Sequence, residues 1–133
     1  MSDIPKDTLV VVIDGTQGTT YRNRSEDGGL ALRATGDLEP RDLADDGPAG
    51  SQPKEQSPGE LDEATFAKQV AHQLYKRAQK GDFQHLVLAA DPQTLGQIRP
   101  SLHKEVTDRL VKEVPKTLTN SPIGDIERSI GAA

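Results

Sequence analysis

Two aspartates follow the two most apolar segments of the chain, and their type and position suit them to chemistry. Asp14 ends the run Leu9–Ile13, and Asp91 follows Leu86–Ala90. If the two segments are neighbouring parallel strands, both carboxylates lie at one end of a sheet, where they can hold Mg²⁺ for phosphoryl chemistry, as in a metal-dependent nuclease. A local explanation competes, because a glycine after the first aspartate indicates a turn and a proline after the second indicates a helix cap. We favour the local explanation, with no metal or cofactor.

Other common catalytic patterns are absent from the sequence. There is no cysteine, which excludes disulfides and thiolate metal sites. The histidines, His72, His85 and His103, are not spaced as metal ligands. No nucleophile elbow, phosphate-binding loop or dinucleotide glycine motif is present. Whether the protein is an enzyme stays open, and a non-enzymatic role is favoured.

The basic residues do not indicate a nucleic-acid site. They form two modest groups, Arg22, Arg24 and Arg33 and then Lys76, Arg77 and Lys80. The second group suits the end of a helix, where cations offset the helix dipole. The net charge of −5 gives no general attraction to phosphate backbones, and aromatic residues that could stack on bases are scarce in the chain.

A long segment rich in proline and glycine, residues 39–61, is predicted to be a loop within the domain. Loops longer than about 12–15 residues are uncommon in compact domains and are often functional or disordered. We expect this one to be mobile and to act as the interaction element, with an unknown protein or a ribosomal or RNA partner. The candidate partner-binding residues are Arg41, Asp42, Gly50, Ser51, Gln52 and Lys54.

The elements that must position these residues follow from hydrophobic periodicity. Continuous apolar runs predict doubly buried strands, alternation predicts half-buried ones, and spacings of three and four predict helices. The first part of the chain is predicted to contain strands at Thr8–Asp14, Gly18–Arg24 and Leu30–Leu38, a helix at Asp62–Lys80 and a strand at Phe83–Ala90. In the third strand, Leu30, Leu32 and Ala34 are expected on one face.

The last part of the chain is less regular. Asp91-Pro92 predicts the start of a helix, and Ser121-Pro122 predicts the start of the final one. Residues 101–114 fit either a helix throughout or a short helix followed by a strand near Arg109–Val114, and we favour the second. The resulting order, β-β-β-α-β-α-β-α, predicts an α/β fold with a five-stranded mixed sheet of order 3-2-1-4-5, covered by helices.

Length and composition indicate one domain over residues 1–133. No apolar run approaches the roughly 20 residues that cross a bilayer, and the polar start, Met1–Lys6, does not resemble a signal peptide. The expected location is therefore the cytoplasm. The oligomeric state does not follow from the sequence.

The chain also resembles a known family along nearly its whole length. The residues that carry the resemblance are Leu9–Gly15, Arg41-Asp42-Leu43, Phe66–Ala71 with Leu74, Leu86–Ala90 followed by Pro92–Gly96, and Val114–Thr119. Together they look like the bacterial host attachment proteins, which are described as required for attachment to host cells. Thr117 stands where that family usually has an acid. The resemblance implies an indirect, non-enzymatic role in attachment, which is our leading hypothesis.

That family is similar in fold to the middle domain of archaeal and eukaryotic peptide-chain release factors, an RNase H-like arrangement. There, a loop between sheet and long helix bears a Gly-Gly-Gln motif that enters the peptidyl-transferase centre. The segment 39–61 lies in the corresponding place and offers Gly50-Ser51-Gln52, followed by Pro53. The resemblance thus implies an alternative function as a ribosome- or tRNA-associated factor, and the metal-dependent nuclease is a second alternative.

Overall fold

The computed structural model describes residues 4–26, 29–38 and 63–132. The strands in these residues are β1 (Leu9–Ile13), β2 (Gly18–Asn23), β3 (Leu32–Leu38), β4 (Leu86–Ala89) and β5 (Leu110–Val114). The α-helices are α1 (Glu63–Gln79), α2 (Pro92–Ile98), α3 (Lys104–Thr107) and α4 (Ile123–Ala132), and a 3₁₀ turn at Arg99–Ser101 follows α2. Within the described residues, no helix is both long enough and apolar enough to cross a membrane.

The strands form one mixed sheet in the order β3-β2-β1-β4-β5, which confirms the predicted order and the α/β class. β1 lies at the centre, antiparallel to β2 and parallel to β4, so that Val11 pairs with Thr20 on one side and Leu88 on the other. β5 continues the parallel half beyond β4. The parallel arrangement brings the carboxyl ends of β1, β4 and β5 to one end of the sheet.

Helix α1 covers one face of the sheet. Its buried residues recur at helical spacing and include the large side chains Phe66, Val70 and Leu74. They pack with Leu9, Val11 and Ile13 of β1 and with residues of α2 and α3 in one core cluster. Burying each large apolar side chain contributes about 1.5–3 kcal/mol, so this packing holds α1 along the sheet.

Helix α4 covers the other face. Ile126 and Ile130 are fully buried and pack against Val10 and Val12 of β1, which explains why β1 is apolar at every position. Polar contacts join α4 to both outer strands. Glu127 Oε2 accepts a hydrogen bond from the backbone N–H of Leu32 in β3 at 2.8 Å, and Lys112 Nζ in β5 donates to the carbonyl oxygen of Ile130 at 3.2 Å.

The amino end of the sheet, where β1 and β4 begin and β2 ends, is joined by one buried amide. Asn23 is fully buried. Its Nδ2 donates to the carbonyl oxygens of Ile4, Pro5 and Gly29 at 3.0, 3.2 and 2.9 Å. Its Oδ1 accepts from the backbone N–H groups of Ser25 and Ala31 at 3.1 and 2.9 Å. This single side chain therefore connects the segment before β1 to the turn between β2 and β3.

Two details differ from the sequence-based expectations. Ala34 is exposed, although it alternates in regular register with Leu32. After Ala34, a register shift at Thr20/Tyr21 inserts an extra residue in β3, so that Leu32 and Leu38 pack on opposite faces of the sheet. In residues 101–114 the favoured prediction of a helix followed by a strand is confirmed, although the helix starts at Lys104 and not at Ser101.

Candidate functional site

The residues predicted to bind a partner lie outside the described residues. All six, Arg41, Asp42, Gly50, Ser51, Gln52 and Lys54, belong to the segment 39–62. The structure describes the elements on either side of that segment, β3 and α1. Their positions define where the segment joins the fold.

The two residues that flank the segment, Leu38 at the end of β3 and Glu63 at the start of α1, lie at the carboxyl end of the sheet. Leu38, the last residue of β3, pairs with Gly18, which in turn pairs with Ile13 at the end of β1. Helix α1 finishes at the amino end, because Arg77 in its last turn donates to Asp82, just before β4. Since α1 packs along the sheet, its first turn lies at the opposite, carboxyl end.

Asp14 organises the turn at this carboxyl end. Its Oδ1 accepts hydrogen bonds from the backbone N–H of Thr16 at 2.7 Å, the Thr16 hydroxyl at 3.0 Å and the backbone N–H of Gln17 at 3.0 Å. Its Oδ2 accepts from the hydroxyl of Thr119, on the segment after β5, at 2.9 Å. Burial raises the pKa of Asp14, but these hydrogen bonds outweigh it and hold the pKa below its ordinary value of 3.8.

Asp91 caps helix α2, as the local explanation predicted. Its Oδ2 accepts from the backbone N–H of Thr94 at 3.1 Å, and its Oδ1 accepts from the hydroxyl of the same residue at 2.7 Å. Both candidate metal ligands, Asp14 and Asp91, thus have their oxygens engaged in hydrogen bonds within the protein. Among the described residues, no group of three or more histidine, aspartate or glutamate side chains is arranged to hold a metal ion. This geometry favours a structural role for both over a nuclease centre.

A cavity of about 520 Å³ lies at the amino end of the sheet. The basic side chains that line it are paired with acids. Arg22 Nη2 lies 2.9 Å from Asp82 Oδ2, and Arg24 Nη1 lies 2.7 Å from Asp7 Oδ1. Burial raises the pKa of Asp82, but Arg77 and Arg22 outweigh it and hold that pKa below 3.8. These ion pairs neutralise the charges in the cavity and join different parts of the chain. We therefore interpret the cavity as structural.

A smaller cavity of about 300 Å³ lies between α1 and the start of α3, and we call it the α1–α3 groove. Its lining residues are Lys68, Ala71, His72 and Tyr75 from α1, with Ser101 and His103 on the facing wall. The rings of Tyr75 and His103 are stacked, with centroids 4.1 Å apart and planes 27° apart. His103 Nδ1 also accepts from the backbone N–H of Glu105 at 3.1 Å and so caps α3.

Sequence reasoning missed this groove. The basic residues that suit the helix dipole, Lys76, Arg77 and Lys80, do not line the groove, and the sequence alone does not indicate that Tyr75 stacks on another ring. Tyr75 and His103 are far apart in the sequence, so their contact exists only after α3 has docked on α1. One signal was present: residues 64–81 contain no aspartate or glutamate, although the whole chain carries a net charge of −5.

The fold defines the protein as an α/β domain with a central mixed sheet, in which the segment 39–62 is flanked by a sheet strand and a long covering helix. The chain belongs to the bacterial archaeo-eukaryotic release factor family 12, whose model matches residues 7–130. The match supports the release-factor relationship that the resemblance implied, and it does not support the host-attachment name. No curated protein matches the chain.

Proposed function

We propose that the protein is a cytoplasmic, ribosome-associated module, formed by one domain over residues 1–133, and that it contacts the ribosome through the segment 39–62. The observation that carries this proposal is the family match over residues 7–130, which includes that segment. The family is described by its relation to release factors. Ribosome association is therefore better supported than a role in host attachment.

The position of the segment supports the same proposal. Leu38 and Glu63, the described residues nearest to its ends, belong to elements that pack in the core. A segment anchored on a strand and a packed helix is presented from a rigid base, as binding segments commonly are. We assign the partner contacts to Gly50, Ser51 and Gln52, with Arg41, Asp42 and Lys54 as further polar contacts.

The chemistry that we propose for the segment is binding without peptide release. The release-factor motif has two consecutive glycines before its glutamine, and Ser51 replaces the second one. Glycine reaches backbone conformations that a residue with a Cβ atom rarely adopts. A segment with serine at this position is therefore suited to a different conformation from the catalytic one.

Co-sedimentation with ribosomes tests the proposal. Purified protein is layered with ribosomes on a sucrose cushion, and the fraction in the pellet is measured. We expect the full chain in the pellet and a variant that lacks residues 44–56 in the supernatant, with an unchanged circular dichroism spectrum. Full-length protein that stays in the supernatant would show that the proposal is wrong.

A matched pair of point variants tests the residue assignment. Gln52→Ala should lower the pelleted fraction, whereas Gln56→Ala, the same change in the same segment, should not. Equal losses in both variants would contradict the assignment of Gln52. A release assay with peptidyl-tRNA in the peptidyl site should give no product above the level without protein.

A further inference from the structure

The α1–α3 groove combines an aromatic stack with a lysine that has no carboxylate partner among the described residues. Lys68, His72 and Tyr75 are spaced i, i+4 and i+7, so they share one face of α1. Ala71 lies among them and is buried, which leaves room between the longer side chains. The cavity volume, about 300 Å³, lies at the lower end of the roughly 300–1,000 Å³ of small-ligand sites.

The charge in the groove differs from that in the cavity at the amino end. Lys68 is exposed and has no carboxylate partner in the described part of the chain. By contrast, Arg22 and Arg24 in the other cavity are held by acids. As far as the described residues go, Lys68 is available to an anion that enters the groove. The absence of acids across residues 64–81 keeps the surrounding helix surface positive.

The stacked pair supplies a flat surface beside this charge. Tyr75 covers one face of the His103 ring, and His103 is exposed, so its other face is open to solvent. Because Nδ1 accepts the hydrogen bond from Glu105, the neutral ring carries its proton on Nε2. The groove therefore offers an open aromatic face, an N–H donor, the hydroxyl of Ser101 and an ammonium group.

We propose that the α1–α3 groove binds an unpaired nucleotide of a single-stranded nucleic acid. The base stacks on the open face of His103, and Lys68 contacts the adjoining phosphate, with His72 and Ser101 as polar neighbours. Stacking on aromatic rings together with phosphate pairing is how proteins hold single strands without reading sequence. An acidic peptide would use Lys68 but has no use for the stacked rings, so the geometry favours a nucleotide.

This inference goes beyond the proposed ribosome contact, because none of the groove residues belongs to the segment 39–62. The two proposals therefore fail separately. Loss of ribosome pelleting on deleting residues 44–56 concerns the segment alone. Binding of a short free oligonucleotide concerns the groove alone and needs no ribosome.

Fluorescence anisotropy with labelled single strands of roughly ten nucleotides tests the inference on the full chain. One RNA and one DNA of the same sequence distinguish the two sources of the nucleotide. His103→Asn is the main variant, since asparagine retains the helix cap and removes the ring. We expect it to weaken binding about ten-fold, as the loss of one stacked base predicts. Tyr75→Phe, which keeps the stack, should bind like the unchanged protein.

A charge variant and its control complete the test. Lys68→Gln should weaken binding several-fold and reduce the salt dependence by about one phosphate contact. Lys116→Gln removes one cation from the segment between Val114 and Leu118, which packs on the opposite face of the sheet, and should change binding little. Thermal unfolding of each variant verifies that the fold is intact.

Three results would overturn the inference. The first is no anisotropy change with either strand. The second is equal binding by His103→Asn, Lys68→Gln and the unchanged protein. The third is competition by polyglutamate in which Lys68→Gln weakens binding and His103→Asn does not, because that pattern assigns the groove to an acidic peptide.

Discussion

The two ends of the sheet are held by different kinds of contact. At the amino end, side chains join separate parts of the chain: Arg22 bonds Asp82, and Asn23 bonds both the segment before β1 and the turn between β2 and β3. At the carboxyl end, Asp14 and Asp91 accept five of their six hydrogen bonds from backbone N–H and hydroxyl groups within three residues of themselves, and Asp14 accepts the sixth from Thr119. The amino end thus secures the tertiary fold, and the carboxyl end shapes local turns where the segment 39–62 is attached.

The largest expected effect comes from the amino end. Asn23→Ala should lower the free energy of unfolding by more than about 3 kcal/mol, because each buried polar group left without a partner costs about 1–3 kcal/mol. Urea unfolding followed by circular dichroism measures it. Gln84→Ala is the control, since Gln84 is an exposed amide at the same end of the sheet, on the wall of the 520 Å³ cavity, and should change stability little. Similar losses in the two variants would remove the distinction between the ends.

A backbone contact at the carboxyl end gives the next largest effect. A Cβ atom added to Gly18 would overlap Ile13 Cγ2 and would lie 2.9 Å from the Val12 carbonyl oxygen, which is too close. Gly18→Ala should therefore cost about 1–3 kcal/mol of stability. At Gly36 the nearest atom, Thr20 Oγ1, would be 3.6 Å away, an ordinary contact. Gly36→Ala should be nearly neutral, and a comparable loss there would mean that strand propensity, and not close approach, sets the cost.

The helix cap at the carboxyl end should have a smaller and strictly local effect. Asp91→Ala removes the acceptor for the Thr94 N–H and should cost about 1 kcal/mol. Asp91→Asn retains an acceptor oxygen and should cost less. Both are measured by urea unfolding. A loss in Asp91→Ala well above the usual cost of a cap would indicate that Asp91 has a tertiary role at this end of the sheet.

The smallest expected effect is the loss of stability at acidic pH. The two ends of the sheet differ here in the groups that contact their carboxylates. The pKa of Asp14 and that of Asp82 both lie below 3.8 in the folded protein. Each carboxylate therefore contributes stability that is complete above that value and is lost as the pH falls through the lowered pKa. Neutral donors hold Asp14, whereas the cations Arg77 and Arg22 hold Asp82. Salt should therefore weaken only the Asp82 contribution.

This difference is measured by urea unfolding between roughly pH 5 and pH 2 at low and high salt. In Asp14→Asn the remaining acid response reports Asp82 and should shrink in high salt. In Asp82→Asn the remaining loss of stability at low pH reports Asp14 and should change little between low and high salt. Equal salt sensitivity in the two variants would contradict the assignment of charged partners to one end and neutral partners to the other.

The sheet was predictable because its signals are local and strong. The continuous apolar runs of β1 and β4 predict strands buried on both faces, and Asp91-Pro92 marks the start of α2. What the sequence could not predict depends on docking. The contact of Tyr75 with His103 requires α3 to pack on α1, and the packing of Leu38 on the opposite face from Leu32 follows from a register shift that no local pattern indicates. The predicted residues in 39–62 remain predictions, because they lie outside the described residues.

The contacts of α4 with both outer strands bear on whether the edges of the sheet can pair with a second chain. An outer strand presents unpaired backbone groups that a second chain can use to extend the sheet. Glu127 occupies the N–H of Leu32 on β3, and Pro115, which has no N–H, follows β5 at the other side. The same helix shields Val10 and Val12. Removing α4 would therefore expose a strand donor and an apolar sheet face together, a combination that favours aggregation of newly made chains.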